Sequence, residues 1–237
     1  LKYNHTSRRS AASSAAMVFT QRSRVLAAFV AHSFCNQLMF MDFAAVPLAS
    51  REALAIDDDD VNSLYTVSLI AAIPSIFASL AFISSHNWAT SFCGVASTVA
   101  AAWIRFAAVT KASYALAVLS SACLGLGVGI VFVGFTQIPK DWFSEEEQPV
   151  AMAVAVQMTF FGWATGGLLI PTCVTSASDL ASFSLAQAVV LSLCLALFLA
   201  CHASPPRPPG PDGTCQHDDA PGEEEGQAAR EEEEGRP

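Results

Sequence analysis

VNSLYTVSLIAAIPSIFASLAFISSHNWATSFCGVASTVAAAWIRFAAVTKASYALAVLSSACLGLGVGIVFVGFTQI, residues Val61–Ile138, carries only two formal charges, Arg105 and Lys111. A soluble domain draws about 25% of its residues from Asp, Glu, Lys and Arg to build a wetted surface. This stretch cannot supply one, and the whole chain is 53% hydrophobic and 14% charged. A bilayer removes the need, because lipid accepts an apolar exterior. A helix crosses it with about 20 mostly apolar residues. The quoted stretch divides into three such runs, Val61–Ile83, Trp88–Val109 and Tyr114–Ile138.

The same reading extends outward to Val25–Leu48, Val150–Thr172 and Leu180–Cys201. Ser84–Asn87 and Thr110–Ser113 are little more than turns, and short links force neighbouring helices to run antiparallel. The expected fold is an all-α membrane protein with a six-helix transmembrane bundle over residues 24–202. Residues 1–23 read as a mostly disordered cytoplasmic segment. Residues 203–237, rich in Pro, Gly and Glu, read as a disordered acidic tail or linker, having too little apolar surface to offset chain entropy. Val25–Leu48 is too long for a signal peptide core and contains Asn36, Gln37 and Asp42. The chain begins at Leu1 and reads as a fragment.

Lys and Arg favour the cytoplasmic side. Lys2, Arg8, Arg9, Arg22, Arg24, Lys140, Arg207, Arg230 and Arg236 fall on one side of a six-span chain, Arg51 and Lys111 on the other. Both termini are therefore expected in the cytoplasm. The net charge of −9 reflects the tail more than the membrane domain, and nothing points to nucleic acid. The seven cysteines form no CxxC pair and read as small buried apolar residues, so neither a metal centre nor a cofactor is implied.

Polar groups in an apolar span usually face a bundle interior or a cavity. Asn36 and Gln37 are either a hydrogen-bonding cavity wall or a bond between helices. Asp42 reads as a carboxylate at the outer interface, or one that attracts a cationic solute or carries a proton. Arg105 reads as a side chain snorkelling to the headgroups. Gln157 is a further cavity candidate, with helix packing as the alternative, and Thr159 joins it as a cavity candidate. Gly162 and Gly166 form a GxxxG seam for close helix approach. Pro74 should kink its helix, and Asp57 to Asp60 should begin one, where carboxylates meet the positive helix end. No catalytic constellation is legible.

Val61-Asn-Ser-Leu64 with Ile73-Pro74-Ser-Ile-Phe77, Ala101-Ala-Trp103-Ile-Arg105, Cys35-Asn36, and Asp141-Trp142-Phe143-Ser-Glu with Gln157 and Gly162 to Pro171 follow one another collinearly. Together they resemble the major facilitator superfamily, in the flavour of the feline leukaemia virus subgroup C receptor-related transporters, over roughly residues 24–172 by motif order. The resemblance implies one six-helix half of a two-half fold, with a missing C-terminal half or second chain completing a midplane cavity. It implies cavity roles for Asn36, Gln37 and Gln157. It adds Phe40, which stands where those transporters tend to have Trp and could hold a quaternary ammonium by cation–π attraction. It implies secondary transport of a choline-like, ethanolamine-like or haem-like solute by alternating access. Ser84, Asn87 and Ala89 replace the Asp, Gly and Arg of the superfamily's loop signature, which leaves open a second reading as a non-transporting assembly or regulatory partner.

Overall fold

A computed structural model describes the backbone of residues 2–201 and the side chains of residues 21–82 and 88–201. Among the described residues there are seven helices: α1 (Lys2–Phe40), α2 (Asp42–Ala45), α3 (Pro47–Leu54), α4 (Asp58–Thr110), α5 (Tyr114–Trp142), α6 (Gln148–Cys173) and α7 (Ala177–Ala200). The chain divides into residues 1–204 and 205–237, and every described residue belongs to the first unit. The reading of 203–237 as a tail or linker lies outside the described residues.

Local chemistry sets the helix starts. Asp57 caps α4 by accepting from the Asp60 amide at 2.8 Å, the role its acidic run suggested. Ser113 caps α5, and Ser176 caps α7. The Asp179 carboxylate returns to the Ser176 hydroxyl at 2.8 Å, so the first turn of α7 is closed from both sides. Pro47 opens α3, where its missing N–H costs nothing.

Among the described residues five segments are long and apolar enough to cross a membrane: Asp58–Phe82, Trp88–Thr110, Tyr114–Trp142, Gln148–Cys173 and Ala177–Ala200. The sixth expected span, Val25–Leu48, is not among them. Its helix stops at Phe40 and resumes as α2 and α3. Pro47 denies helical geometry to Val46, which sits at φ −134° and ψ 64°. At its other end α1 runs back to Lys2, so a helical backbone occupies most of the 1–23 segment expected to lack order.

Helix α4 holds two spans that fold back on each other. Its Ser68 carbonyl abuts Gly125 of α5, while its Thr98 hydroxyl abuts Gly127. In a straight helix residues 68 and 98 would lie about 45 Å apart. The chain therefore reverses between Phe82 and Trp88, where a turn was expected. The Ser63–Tyr114 hydroxyl contact, together with Ser68 beside Gly125 and Ser75 beside Gly129, makes the first arm parallel to α5. Ser120 to the Ala101 carbonyl and Ser97 to the Cys123 carbonyl make the second arm antiparallel to it. Gly162 against Phe34 and Gly166 against Leu38 and Met41 make α6 parallel to α1.

The core forms three layers along the bundle. Phe29, Val131, Phe135, Ile138, Trp142 and Ala155 close one end. Met39, Phe40, Ala101, Leu124, Val128 and Leu191 fill the middle. Phe43, Val46, Val61, Ala108, Ile170 and Leu180 close the other. The six described cysteines are unpaired, and none is fully buried; Cys93 and Cys173 are exposed. Their expected place in the core holds only in part: Cys35 and Cys123 pack against the middle layer, whereas Cys93 and Cys173 lie exposed, which an apolar exterior tolerates.

Candidate functional site

Three aromatic rings from three elements meet where α1 breaks. Phe40, the last residue of α1, lies edge-to-face with Tyr65 of the first α4 arm at 4.9 Å between centroids. It stacks on Trp163 of α6 at 6.4 Å. Phe160 adds an edge-to-face contact to Trp163 at 6.0 Å. Phe40 is buried, Trp163 half-buried, and Tyr65 is 37% exposed, so the group opens to one side of the bundle. On the same two helices as Phe40 and Trp163, two polar atoms are buried without a hydrogen-bond partner, the Gln37 amide oxygen on α1 and the Trp163 indole N–H on α6. An acceptor and a donor left unpaired in this way are costly unless something else completes them.

One turn deeper the polar residues serve the bundle. Asn36 donates to the Thr98 hydroxyl at 2.9 Å, joining α1 to the second α4 arm. Thr98 in turn donates to the Gly94 carbonyl at 3.0 Å, and Gln37 donates to the Asn36 amide oxygen at 3.2 Å. Asn36 and Gln37 are both fully buried; Asn36 bonds across to the second α4 arm, while Gln37 keeps its own amide oxygen unpaired. Thr159 is buried and returns its hydroxyl to the Ala155 carbonyl at 3.1 Å. Gln157 is exposed on α6 and is not brought to Asn36 or Gln37 by any hydrogen bond. His32 is buried, and neither ring nitrogen has a partner.

Arg105 does not snorkel, and Asp42 does not sit at a wet interface. Both are buried and form an ion pair at 2.9 Å. The Arg105 guanidinium also donates to the Met39 carbonyl at 2.5 Å and to Ser120 Oγ at 3.3 Å, and lies 4.5 Å from the Phe43 ring centroid. Gln187 of α7 donates to the other Asp42 oxygen at 2.7 Å. The physical reason for the correction is local. The break in α1 frees the Met39 carbonyl and brings Asp42 inward, so the guanidinium finds an acceptor and a counter-charge inside the bundle.

At the opposite end Arg22 clamps Glu147 with two bonds, at 2.6 and 3.0 Å, and lies 5.5 Å from the Phe143 ring centroid. The Ser144 hydroxyl, together with the Arg22 guanidinium, holds the Glu147 carboxyl below its ordinary range. Pro74 is exposed within the first α4 arm, which continues through it. It lines a groove of about 550 Å³ with Ala78, Phe82, Cys93 and Leu126, which none of the three rings borders. Gly162 and Gly166 lie in the α1–α6 seam. Among the described residues no three His, Cys, Asp or Glu side chains are grouped to hold a metal ion.

Tyr65, Trp163, Thr98 and Gln187 were not singled out by sequence. An aromatic residue or a glutamine in an apolar span carries no signal of its own. Their importance comes from what the fold sets beside them. The chain matches the Major Facilitator Superfamily over residues 8–228. No curated protein matches it.

Proposed function

Because the chain belongs to the Major Facilitator Superfamily, whose members are membrane transporters of small solutes rather than enzymes, we propose that it carries a small organic solute with a cationic head by alternating access. The observation behind this reading is the Phe40–Tyr65–Trp163 group with its unpaired Trp163 N–H, together with the unpaired Gln37 oxygen on α1. Ring faces attract a quaternary ammonium through their quadrupoles, most strongly at Trp. The Gln37 oxygen would accept from a hydroxyl or primary ammonium on the solute, and the Trp163 N–H would donate to an oxygen. Choline-like and ethanolamine-like solutes suit this chemistry. A haem-like solute shares only the aromatic contact. The likeness to the feline leukaemia virus subgroup C receptor-related transporters supports the same class.

In this reading α1 supplies the sixth span, with its outer end broken, and residues 24–202 form one six-helix half. A second half, linked by or following residues 203–237, supplies the other cavity wall. Both termini lie in the cytoplasm, by the distribution of Lys and Arg.

The test is uptake of radiolabelled choline, ethanolamine and haem by cells expressing the complete gene, with surface expression measured in parallel. Trp163→Ala should lower uptake of the ammonium solute by roughly two- to thirtyfold, whereas Phe40→Trp should raise its apparent affinity several-fold, in line with about 0.5–2 kcal/mol for a cation–π contact. Normal surface expression without saturable uptake of any of the three would overturn the proposal.

A further inference from the structure

The buried ion pair carries the additional hydrogen bonds that burial demands, and they are arranged unequally. Arg105 makes three contacts besides Asp42: the Met39 carbonyl, Ser120 Oγ and the Phe43 ring. The guanidinium keeps two hydrogen bonds and the ring contact if the carboxylate is neutralised. Asp42 is completely buried and uses both oxygens, one on Arg105 and one on the Gln187 amide nitrogen. The remaining atom of that amide, Gln187 Oε1, is buried and has no hydrogen-bond partner.

We infer that Asp42 is a proton-binding site and that Gln187 is built to serve both of its protonation states. Ionised, the carboxylate accepts from Gln187 Nε2 and pairs with Arg105. When a proton is taken up from water, one carboxylate oxygen becomes a hydroxyl donor and the net charge of the pair rises by one. A half-turn of the Gln187 amide then presents Oε1 to that hydroxyl, supplying the acceptor that is idle in the ionised state. Arg105 keeps its carbonyl, hydroxyl and ring contacts. An amide can do this because it carries a donor and an acceptor on one planar group.

Few other charges bear on Asp42. On the part of α1 nearest Asp42 the titratable groups are the Cys35 thiol and His32, ten residues away or about 15 Å along a helix; Arg22 and Arg24 lie farther toward the other end. On α3, Arg51 is engaged by Asp58 at 3.1 Å, and Glu52 is exposed. On α4, Asp57 to Asp59 are exposed, Asp60 is half-buried, and Arg105 is the facing cation. Lys111, just before α5, is exposed. Helix α6 has no charged side chain from Gln148 to Cys173. On α7, Asp179 is bonded to Thr175 and Ser176, and the Cys194 thiol lies on the same helix. Ionisable groups inside an apolar bundle commonly mark proton pathways. Using this proton to drive solute movement rests on the transport reading above; binding the proton does not.

The test needs no solute. Infrared difference spectra of the full chain in lipid nanodiscs are recorded while pH is lowered. A carboxylic-acid carbonyl band should grow in, shift on exchange into deuterated water, and be lost in Asp42→Asn. In Gln187→Leu the band should remain but change frequency, because the acid hydroxyl has lost its acceptor. In Arg105→Gln it should persist at every pH examined. If Asp42→Asn fails to fold, the charge-neutral pair Asp42→Asn/Arg105→Gln takes its place. A spectrum without a titrating band, or with one unchanged by loss of Asp42, makes the pair a structural salt bridge only and overturns the proposal. Loss of proton-gradient stimulation of choline uptake in Asp42→Asn tests the coupling separately. Absent choline uptake counts against the transport reading and leaves the infrared result standing.

Discussion

Asn36, Gln37 and Asp42 lie within two turns on and just beyond α1, yet each is satisfied differently. Asn36 is spent on Thr98, Asp42 is shared between Arg105 and Gln187, and Gln37 keeps one oxygen idle. That idle oxygen separates a residue able to meet a solute from residues that hold the bundle. A double-mutant cycle with Asn36→Ala and Thr98→Val, read by thermal unfolding in detergent, should give a coupling energy of about 1 kcal/mol, as for other interhelical bonds in membranes. Additive effects would mean that the bond contributes nothing to stability, and Asn36 would return to the cavity candidates. Sequence presented Asn36 and Gln37 as equivalent neighbours, because it records neither which way an amide points nor what lies across the helix gap.

At the scale of elements, the α1–α6 seam and the α1 break position the aromatic group. The seam is graded. A methyl group at Gly162 would meet the Phe34 carbonyl at 2.5 Å, and one at Gly166 would meet Met41 Cβ at 3.0 Å; one at Gly167 would meet nothing within 4 Å. Alanine substitutions should therefore destabilise in the order Gly162, Gly166, Gly167, with Gly167→Ala near neutral. Melting temperatures of the three purified variants check the order, and a Gly167→Ala loss as large as that of Gly162→Ala would refute the seam geometry. GxxxG was legible in sequence because its spacing puts two small residues on one helix face. The break was not read. Pro47 announced a boundary, but the outward residues still scored as an apolar continuation. Their irregular backbone is tolerated since Ser50 takes the Val46 carbonyl at 2.9 Å and Arg105 takes that of Met39.

Across the whole molecule, Arg22 with Glu147 closes one end and Asp42 with Arg105 lies toward the other, with an apolar middle layer between. The expected orientation puts the Arg22 end in the cytoplasm. In a cysteine-free background, Ser178→Cys should react with a membrane-impermeant maleimide on intact cells, and Ser144→Cys only after permeabilisation. The reverse pattern would invert the topology.

The charge-poor run Val61–Ile138 determined by itself that this is a helical membrane protein, because no soluble surface can be made from it. The starts of α5, α6 and α7 followed within three residues, from the lengths of the apolar runs and the short links between them. Tertiary structure alone decided which polar groups were spent and which remained free. It turned Arg105 inward to Asp42, assigned Asn36 to Thr98, and assembled Phe40, Tyr65 and Trp163 from three helices. Hydropathy reports the cost of placing a side chain in lipid. It does not report the partner that removes that cost, and here that partner comes from another helix.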